Sequence, residues 1–446
     1  MKFINNTSDL ENYLSKPFPK NKKINHISID SRKIKPNSLF IALKGNDVDG
    51  NNFVEDALSK GAVSCIVDNT KFKKSKDCRI IYVKNSVTAL KTISENIIKQ
   101  YKGNVIAITG SNGKTTTTNI AHETLNSSSK TIANYNNEIG MPISLMSASK
   151  KSKNLILEIG ASKLNDIDYL SKILAPNVGV ITNIGMSHLK KLKDINGVLK
   201  VKSELVNNVR SGGTLIVPSE NMKHLQHWEK MRDDLKILTF GFSKNSDFFP
   251  TNIHHYKNRM TFKIRSKFET FNLKIDCPME GEHNIKNVLA SFAIHYALNQ
   301  DIHNFSNKIK KSNLKTIRQI KSKWINGSTL IDDTYNANPD STQKSIDLLS
   351  KYKNRTIFII GDMLELGKSS LKLHSDIGKY AKLKGIDLLI GYGNHTKETV
   401  SSFGEKAIFF DDKYELKNFI KNNISKKDVI LIKGSRGMRM EKFKDV

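Results

Sequence analysis

The chain has 446 residues, of which 38% are hydrophobic, and its formal net charge at pH 7 is +29. This length predicts two to four domains instead of one hydrophobic core, and no run of about 18 apolar residues occurs, which argues against a membrane span. The 3 cysteines are scattered without a pairing or metal-site spacing, which fits a reducing cytoplasm.

The positive charge is distributed over the whole chain, in stretches such as "KFKKSKD", "HLKKLKD" and "NKIKKSN". A specific nucleic-acid partner would favour a concentrated basic patch, so we expect only non-specific affinity for polyanions at low salt. The polar first residues lack the apolar stretch of a signal peptide. We therefore expect a cytoplasmic protein without a specific nucleic-acid partner, and we expect a monomer.

The apolar pattern predicts an α/β protein with three domains. Residues 1–101 alternate short apolar runs with helical stretches and turn signals, which predicts a small α/β domain. Residues 102–313 contain continuous apolar strands between helices, as in a mostly parallel sheet covered on both faces, and "NRMTFKIRS" predicts an antiparallel addition to it. Residues 314–446 repeat the alternation of strands and helices, as in a Rossmann-like domain.

The stretch "VIAITGSNGKTTTTN", residues 105–119, resembles a phosphate-binding loop. The usual pattern places a glycine where this chain has Ile108. The order of apolar strand, glycine turn and helix still favours nucleotide binding over a chance lysine at an ordinary junction. Lys114 would then reach the β- and γ-phosphates, and the hydroxyl of Thr115 would bind Mg²⁺.

Three charged residues follow or accompany buried elements of the same domain. Glu158 ends the apolar strand "NLILEIG", where it is either a magnesium-linked acid or a simple strand end. His188 follows the strand "VITNIG", as a second metal ligand or as a structural histidine. Lys202 has apolar neighbours at helical spacing, so it either extends its ammonium to solvent or lies near the metal site, where it could be chemically modified.

The stretch "LIDDTYNANPDS" combines a strand end with a helix start. Asn338 and Pro339 predict the N-cap and the first residue of a helix. That arrangement does not explain the neighbouring pair Asp332 and Asp333 or the amide of Asn336. The sequence therefore predicts a further group of site residues in the third domain.

The sequence is similar to the Mur ligase family in stretches that follow one another along nearly the whole chain. They are "DSRKIKPNSLFIALKG", "TGSNGKTT", "NNEIGMP", "EIGAS", "ITNIGMSHL", "GEHNIKN", "IDDTYNANPDS", "GDMLELG" and "KGSRGMRME". The phosphate loop of this family has the short form found here, which accounts for the missing glycine. "DDTYNANPDS" and "GDMLELG" resemble most closely the branch that joins D-Ala-D-Ala to UDP-N-acetylmuramoyl-tripeptide.

The resemblance implies that the first domain binds the UDP-sugar, the second binds ATP, and the Rossmann-like third domain closes over the site. It also implies a reaction that needs ATP and Mg²⁺. ATP phosphorylates the terminal carboxylate of the peptide, and the amine of D-Ala-D-Ala attacks the acyl phosphate. The third residue of the peptide, lysine or diaminopimelate, stays open.

The resemblance assigns roles to individual residues. The predicted catalytic residues are Lys114, Glu158, His188 and Lys202, and Lys202 matches a lysine that is carbamylated in the family. The predicted magnesium ligands are Thr115, Glu158 and His188. The predicted nucleotide contacts are Gly110, Ser111, Asn112, Gly113, Lys114, Thr115, Thr116, Asn284, Asn287, Arg318 and Asp333. The predicted substrate contacts are Ser31, Arg32, Lys44, Asp49 and Gly50 for the nucleotide-sugar, Asn137 for the muramoyl part, and Asn336, Asn338 and the "GDMLELG" loop, residues 361–367, for the dipeptide.

Three alternatives differ in function. One is a Mur-type amide ligase with another acid or amine substrate. Another is a basic nucleic-acid-binding ATPase, which would require clustered charge. The third is a non-catalytic relative, and the joint retention of Lys114, Thr115, Glu158, His188 and Lys202 argues against it.

Overall fold

The computed structural model describes residues 2–45, 47–256, 259–268, 273–312, 314 and 320–445. Within these residues the chain forms three α/β units in sequence order, each built on its own sheet. The predicted border after residue 101 falls between the last helix of the first unit and the first strand of the second. The border after residue 313 falls beside residues outside the described set, and both borders stay predictions.

The first unit contains a parallel four-stranded sheet. Its strands are β1 (His26–Ser28), β2 (Ser38–Ile41), β3 (Ala62–Val67) and β4 (Ile80–Tyr82), paired in that order. Its helices are α1 (Thr7–Leu14), α2 (Val54–Ser59) and α3 (Ser86–Gln100). Helix α3 begins at the N-cap Asn85, whose side chain accepts from the amide of Thr88, and it buries an apolar face that includes Leu90, Ile93 and Ile97.

The second unit contains a nine-stranded sheet. Its strands are β5 (Asn104–Thr109), β6 (Ser128–Lys130), β7 (Asn154–Glu158), β8 (Val178–Ile181), β9 (Thr214–Pro218), β10 (Lys236–Phe240), β11 (Phe248–Tyr256), β12 (Arg259–Ser266) and β13 (Leu273–Cys277). The strand order is β13-β12-β11-β10-β9-β8-β5-β7-β6, and the sheet is parallel from β6 to β11. Strands β11, β12 and β13 are antiparallel, as predicted for this part of the chain.

Helices cover the second sheet. They are α4 (Lys114–Thr124), α5 (Gly140–Ser147), α6 (Asp166–Leu174), α7 (Leu189–Leu192), α8 (Ile195–Asn208), α9 (Met222–Met231), α10 (Glu282–Ala297) and α11 (Ile302–Lys311). Strand β5 lies between β8 and β7, and all three are parallel. Their carboxyl ends therefore meet at one edge, where open α/β sheets collect ligands.

The third unit contains a six-stranded sheet. Its strands are β14 (Ile320–Lys323), β15 (Thr329–Asp333), β16 (Thr356–Gly361), β17 (Leu388–Tyr392), β18 (Ala407–Phe410) and β19 (Val429–Lys433). Its helices are α12 (Pro339–Leu349), α13 (Ser370–Leu383), α14 (Thr396–Phe403) and α15 (Lys413–Asn423). The order is β14-β15-β19-β16-β17-β18, with only β14 antiparallel among the described strands. Among the helices of the described ranges, none is both long and apolar enough to cross a membrane.

Candidate active site

The phosphate loop connects the buried strand β5 to helix α4. Gly110 and Gly113 both have positive φ, +144° and +84°, which lets the loop turn tightly onto the helix start. The ammonium of Lys114 donates to the carbonyl oxygen of Gly110 at 2.7 Å. Ser111 donates to the carbonyl oxygen of Gly185 at 2.8 Å, so the loop is tied to the segment after β8. The loop amides and the α4 N-terminus are thus suited to binding an anion.

Glu158 lies at the end of β7, directly beside this loop. Its side chain is 3% exposed. Thr115 Oγ1 donates to one carboxylate oxygen at 2.8 Å, and Asn136 Nδ2 donates to the other at 2.7 Å. The sequence did not point to Asn136, although it stands in the quoted stretch "NNEIGMP". Burial with two donors holds the carboxylate in one orientation.

The donor set around Glu158 fits Mg²⁺, because a carboxylate and a hydroxyl are hard oxygen ligands. Among the described residues no group of three or more His, Cys, Asp or Glu forms a cation site. A Mg²⁺ ion here would therefore take its remaining ligands from phosphate oxygens and water. Magnesium binding by Thr115, Glu158 and His188 stays a prediction.

His188 stands where the chain leaves the end of β8 and enters α7, with a φ of +54°. Its Nδ1 is hydrogen-bonded to the carboxylate of Glu365 from the third unit. That hydrogen bond lowers the pKa of Glu365. His188, Glu158, Lys114 and Thr115 all line one cavity of about 1090 Å³, so the structure brings the four predicted residues together.

Lys202 lies on α8 and is 1% exposed. The alternative that its ammonium extends to solvent is therefore wrong. Burial, with the nearby charge of Lys114 as a second cause, lowers the pKa of Lys202 to about 7. A substantial fraction of this lysine is thus a neutral amine near pH 7, and neutral amines are nucleophilic.

A second cavity, of about 320 Å³, also borders the phosphate loop. It is lined by the predicted nucleotide contacts Asn112, Gly113, Thr115, Thr116, Asn284, Asn287 and Asp333. Asn284 donates to the carbonyl oxygen of Glu280 at 2.7 Å and accepts from Asn287 at 3.1 Å. Asn112, Gly113 and Thr115 line both cavities, so the two spaces meet at the loop.

Asp333 ends strand β15 and forms an ion pair with Lys433 at 2.5 Å. Both side chains are almost completely buried. Asp333 Oδ2 also accepts from Ser345 at 2.6 Å, whereas Oδ1 has no hydrogen-bond partner among the described residues. Lys433 was missed by the sequence analysis, although a charged residue closing the apolar run "DVILIKG" is the same signal that identified Glu158. Arg318 lies outside the described residues.

The three amides predicted for the substrate line the larger cavity. Asn137 accepts from the amide of Gly140 at 2.8 Å. Asn336 is exposed and accepts from the amide of Ala337 at 2.9 Å. Asn338 is the predicted N-cap of α12, which is confirmed, and its Nδ2 donates to Asn112 Oδ1 at 2.9 Å.

Comparison with known proteins identifies the family. Family models match residues 23–108 as "Mur ligase family, catalytic domain", 108–295 as "Mur ligase middle domain" and 318–436 as "Mur ligase, glutamate ligase domain". A UDP-N-acetylmuramoyl-tripeptide–D-alanyl-D-alanine ligase of Buchnera aphidicola subsp. Baizongia pistaciae is 36% identical over 431 residues, covering 94% of this chain and 91% of the relative. The chain belongs to the Mur ligase family.

Solved Mur ligase structures share its architecture. MurF from Acinetobacter baumannii superposes with a TM-score of 0.85 at 28% identity, covering 97% of this chain and 96% of that chain. MurF from Thermotoga maritima, solved in complex with ADP, has a TM-score of 0.78 at 26% identity and covers 94% of this chain and 96% of that chain. The three-domain α/β fold predicted from the sequence is confirmed.

Five residues that the Mur ligase resemblance assigns to the nucleotide-sugar lie in the first unit, and none of them lines either cavity. They are Ser31, Arg32, Lys44, Asp49 and Gly50. Arg32 pairs with Asp30 at 2.9 Å, and its side chain is mostly exposed. Asp49 accepts from Asn51 Nδ2 at 2.8 Å, and Asn51 also donates to Asp68 at 2.9 Å. Their substrate roles stay predictions.

Proposed function

We propose that this Mur ligase joins D-Ala-D-Ala to the terminal carboxylate of UDP-N-acetylmuramoyl-tripeptide through an acyl phosphate, with ATP as the phosphate donor. The observation that carries the proposal is the relative with that named activity, which is 36% identical across 94% of the chain. The meeting of two cavities at one phosphate loop supports it, because such a layout suits a reaction between a nucleotide and a second substrate.

The reaction has two steps. An oxygen of the peptide carboxylate attacks the γ-phosphorus of ATP, the bond to the β-phosphate oxygen breaks, and ADP leaves. The amine nitrogen of D-Ala-D-Ala then attacks the acyl carbon. Inorganic phosphate leaves, the amine loses a proton, and an amide bond remains. We assign the smaller cavity to ATP and the larger one to the peptide carboxylate and the dipeptide, since the predicted residues for each line them.

The residues of the loop bind the phosphates of ATP and place charged groups beside them. Lys114 and the loop amides hold the β- and γ-phosphates, which positions the phosphorus for in-line attack. Glu158, fixed by Thr115 and Asn136, presents an oriented anion beside them. Thr115, Glu158 and His188 would hold Mg²⁺, which would screen the phosphate charge.

We further propose that Lys202 is carbamylated. Its neutral amine would attack the carbon of CO₂ and release a proton, which converts a buried cation into an anion. Beside Glu158 and Lys114, such an anion would favour a metal-rich site. Incubation with ¹³C-bicarbonate should give a carbamate signal by NMR that is absent from Lys202→Gln, and a wild-type spectrum without that signal would reject this part.

The test of the function is a phosphate-release assay with ATP and Mg²⁺, with product mass determined in parallel. We expect release to depend on both D-Ala-D-Ala and a UDP-muramoyl-tripeptide, assayed with lysine or diaminopimelate at the third position. Turnover with another amine but not with D-Ala-D-Ala would favour the different-substrate ligase. The cytoplasmic location and the monomeric state remain part of this proposal.

A further inference from the structure

The side chain of Asn338, at the N-terminus of α12, contacts the phosphate loop. Its Oδ1 accepts from the amide of Ser341 at 2.8 Å, which is the N-cap hydrogen bond of the helix. Its Nδ2 donates to Asn112 Oδ1 at 2.9 Å. Both ends of this carboxamide are therefore engaged, one by its own helix and one by the loop of another domain.

This contact determines which way the carboxamide of Asn112 points. A backbone amide can only donate, so the atom of Asn338 that faces Ser341 must be the oxygen. The atom of Asn338 that faces Asn112 must then be the nitrogen, and the atom of Asn112 that meets it must be an oxygen. The nitrogen of Asn112 is consequently directed to the opposite side.

That nitrogen has no acceptor among the residues that the structure describes, although it is buried. An unpaired buried donor is unfavourable, so a ligand atom is the natural partner. Asn112 lines both cavities and stands where they meet. Its own backbone amide is held by Asn183 Oδ1 at 2.8 Å, so the backbone is fixed and the orientation of the carboxamide depends on its side-chain contacts. The point where the nucleotide cavity joins the acceptor cavity is where a transferring phosphoryl group must pass.

We propose that Asn338 is a positioning residue for phosphoryl transfer, which orients Asn112 so that its Nδ2 donates a hydrogen bond to an oxygen of the γ-phosphate. The inference rests on the proposed function. It gives Asn338 a role distinct from the dipeptide contact predicted from the sequence. It also means that the direction in which the Asn112 carboxamide points depends on docking of the third domain.

The decisive variant is Asn338→Ser. Serine is as good an N-cap as asparagine, so the melting temperature should stay close to that of the wild type. Serine is too short to donate to Asn112, so kcat should fall about tenfold to a hundredfold while KM for ATP changes little. Asn338→Asp keeps the cap but can only accept, which would turn Asn112 around. We expect its kcat to be lower still.

A double-variant cycle separates positioning from structure. In the Asn112→Ala background, Asn338→Ser should have no further effect on kcat, since the group it orients is gone. The matched control is Asn221→Ser, which makes the same change at the N-cap of α9, away from both cavities. Its kcat should equal that of the wild type.

Failure of this inference and failure of the proposed function give different results. An Asn338→Ser enzyme with wild-type kcat, or one that loses equal activity with and without Asn112, would overturn the inference. A wild-type protein that releases no phosphate with D-Ala-D-Ala would instead remove the proposed function, whatever the variants do.

Discussion

Two lysines of the site occupy opposite environments. Lys114 begins a helix beside the phosphate loop and donates to Gly110. Lys202 is buried at the centre of α8, and the charge of Lys114 disfavours a second cation there. A protonated Lys202 would be costly to keep in this position. The structure therefore separates an ammonium hydrogen-bonded to the phosphate loop from an amine that is readily deprotonated.

Lys202 should make stability depend on pH. Its pKa is about 7 in the folded protein and 10.5 ordinarily. Between these values the unfolded chain binds the proton and the folded chain does not, so the free energy of unfolding should rise with pH, by up to about 1.4 kcal/mol per pH unit. Lys202→Met should remove this contribution, as measured by urea unfolding at two pH values inside the window.

The measurement requires a buffer free of CO₂, since carbamylation would change the titrating group. The matched control is Lys200→Met, because Lys200 is exposed on the same helix. An unchanged pH slope in Lys202→Met, relative to this control, would contradict the shifted pKa.

Lys114→Ala should abolish ligation without unfolding the protein. Its ammonium donates to the loop at Gly110, and loss of one such electrostatic contact in an active site lowers kcat by about a hundredfold or more. The melting temperature should remain near that of the wild type, because the helix tolerates alanine well. Normal dipeptide-dependent phosphate release by a folded variant would remove the loop from the mechanism, and exposed Lys351→Ala serves as the control.

Helices α4 and α10 approach each other at Gly113. A Cβ on this residue would lie 2.4 Å from Asn287 Oδ1, and its φ of +84° also disfavours a side chain. Asn287 cannot yield easily, because it is buried and hydrogen-bonded to Asn284. Gly113→Ala should therefore destabilise the protein by about 2 kcal/mol or more and weaken ADP binding, as measured by calorimetry.

Gly212 offers the matched control for this packing. Its φ is +70°, but a Cβ there would meet nothing within 4 Å. Gly212→Ala should lower the free energy of unfolding by about 1 kcal/mol, because only the positive φ disfavours the side chain. It should leave ADP binding unchanged. Equal losses in the two variants would mean that the close approach to Asn287 is unimportant.

The site residues could be predicted from the sequence where the pattern that marks them lies in neighbouring residues. Glycines between an apolar strand and a helix marked the phosphate loop, and a carboxylate closing an apolar strand marked Glu158. The pairing of Asn136 with Glu158 and of Glu365 with His188 was not predicted, although both residues stand in stretches quoted for the resemblance, because each partner lies far away in sequence. Such pairs depend on strand order and domain docking, which local periodicity does not encode. Lys433 is different, since its signal was local and was overlooked.

At the scale of the whole molecule, the net charge of +29 predicts salt-sensitive binding to polyanions. Without a basic cluster that binding should be non-specific, and it should weaken steeply between about 50 and 200 mM salt. Titration with a random-sequence RNA checks this expectation. Stimulation of ATP hydrolysis by RNA would instead favour the nucleic-acid-binding alternative.

Polar contacts connect the third domain to the segment that follows β8. The amide of Met186 donates to Asp340 Oδ2 at 3.2 Å, and the amide of Lys190 donates to the carbonyl oxygen of Glu365 at 2.8 Å. The carboxylate of Glu365 also bonds His188. Met186 and Asp340 are half-buried and the Glu365 side chain is exposed, so each contact contributes modestly. Loss of these contacts should shift the docked arrangement toward an open one.

The double variant Asp340→Ala, Glu365→Ala should open the molecule without unfolding any domain. Its radius of gyration by small-angle X-ray scattering should exceed that of the wild type, and kcat should fall, because the contacts that bring α12 onto the phosphate loop are weakened. Exposed Glu405→Ala, in the same domain, should change neither quantity. Leu189 of the second unit and Leu366 of the third belong to one buried apolar cluster. If the double variant scatters like the wild type, this apolar packing must hold the domains together, and the polar contacts would then orient the third domain without determining how far it opens.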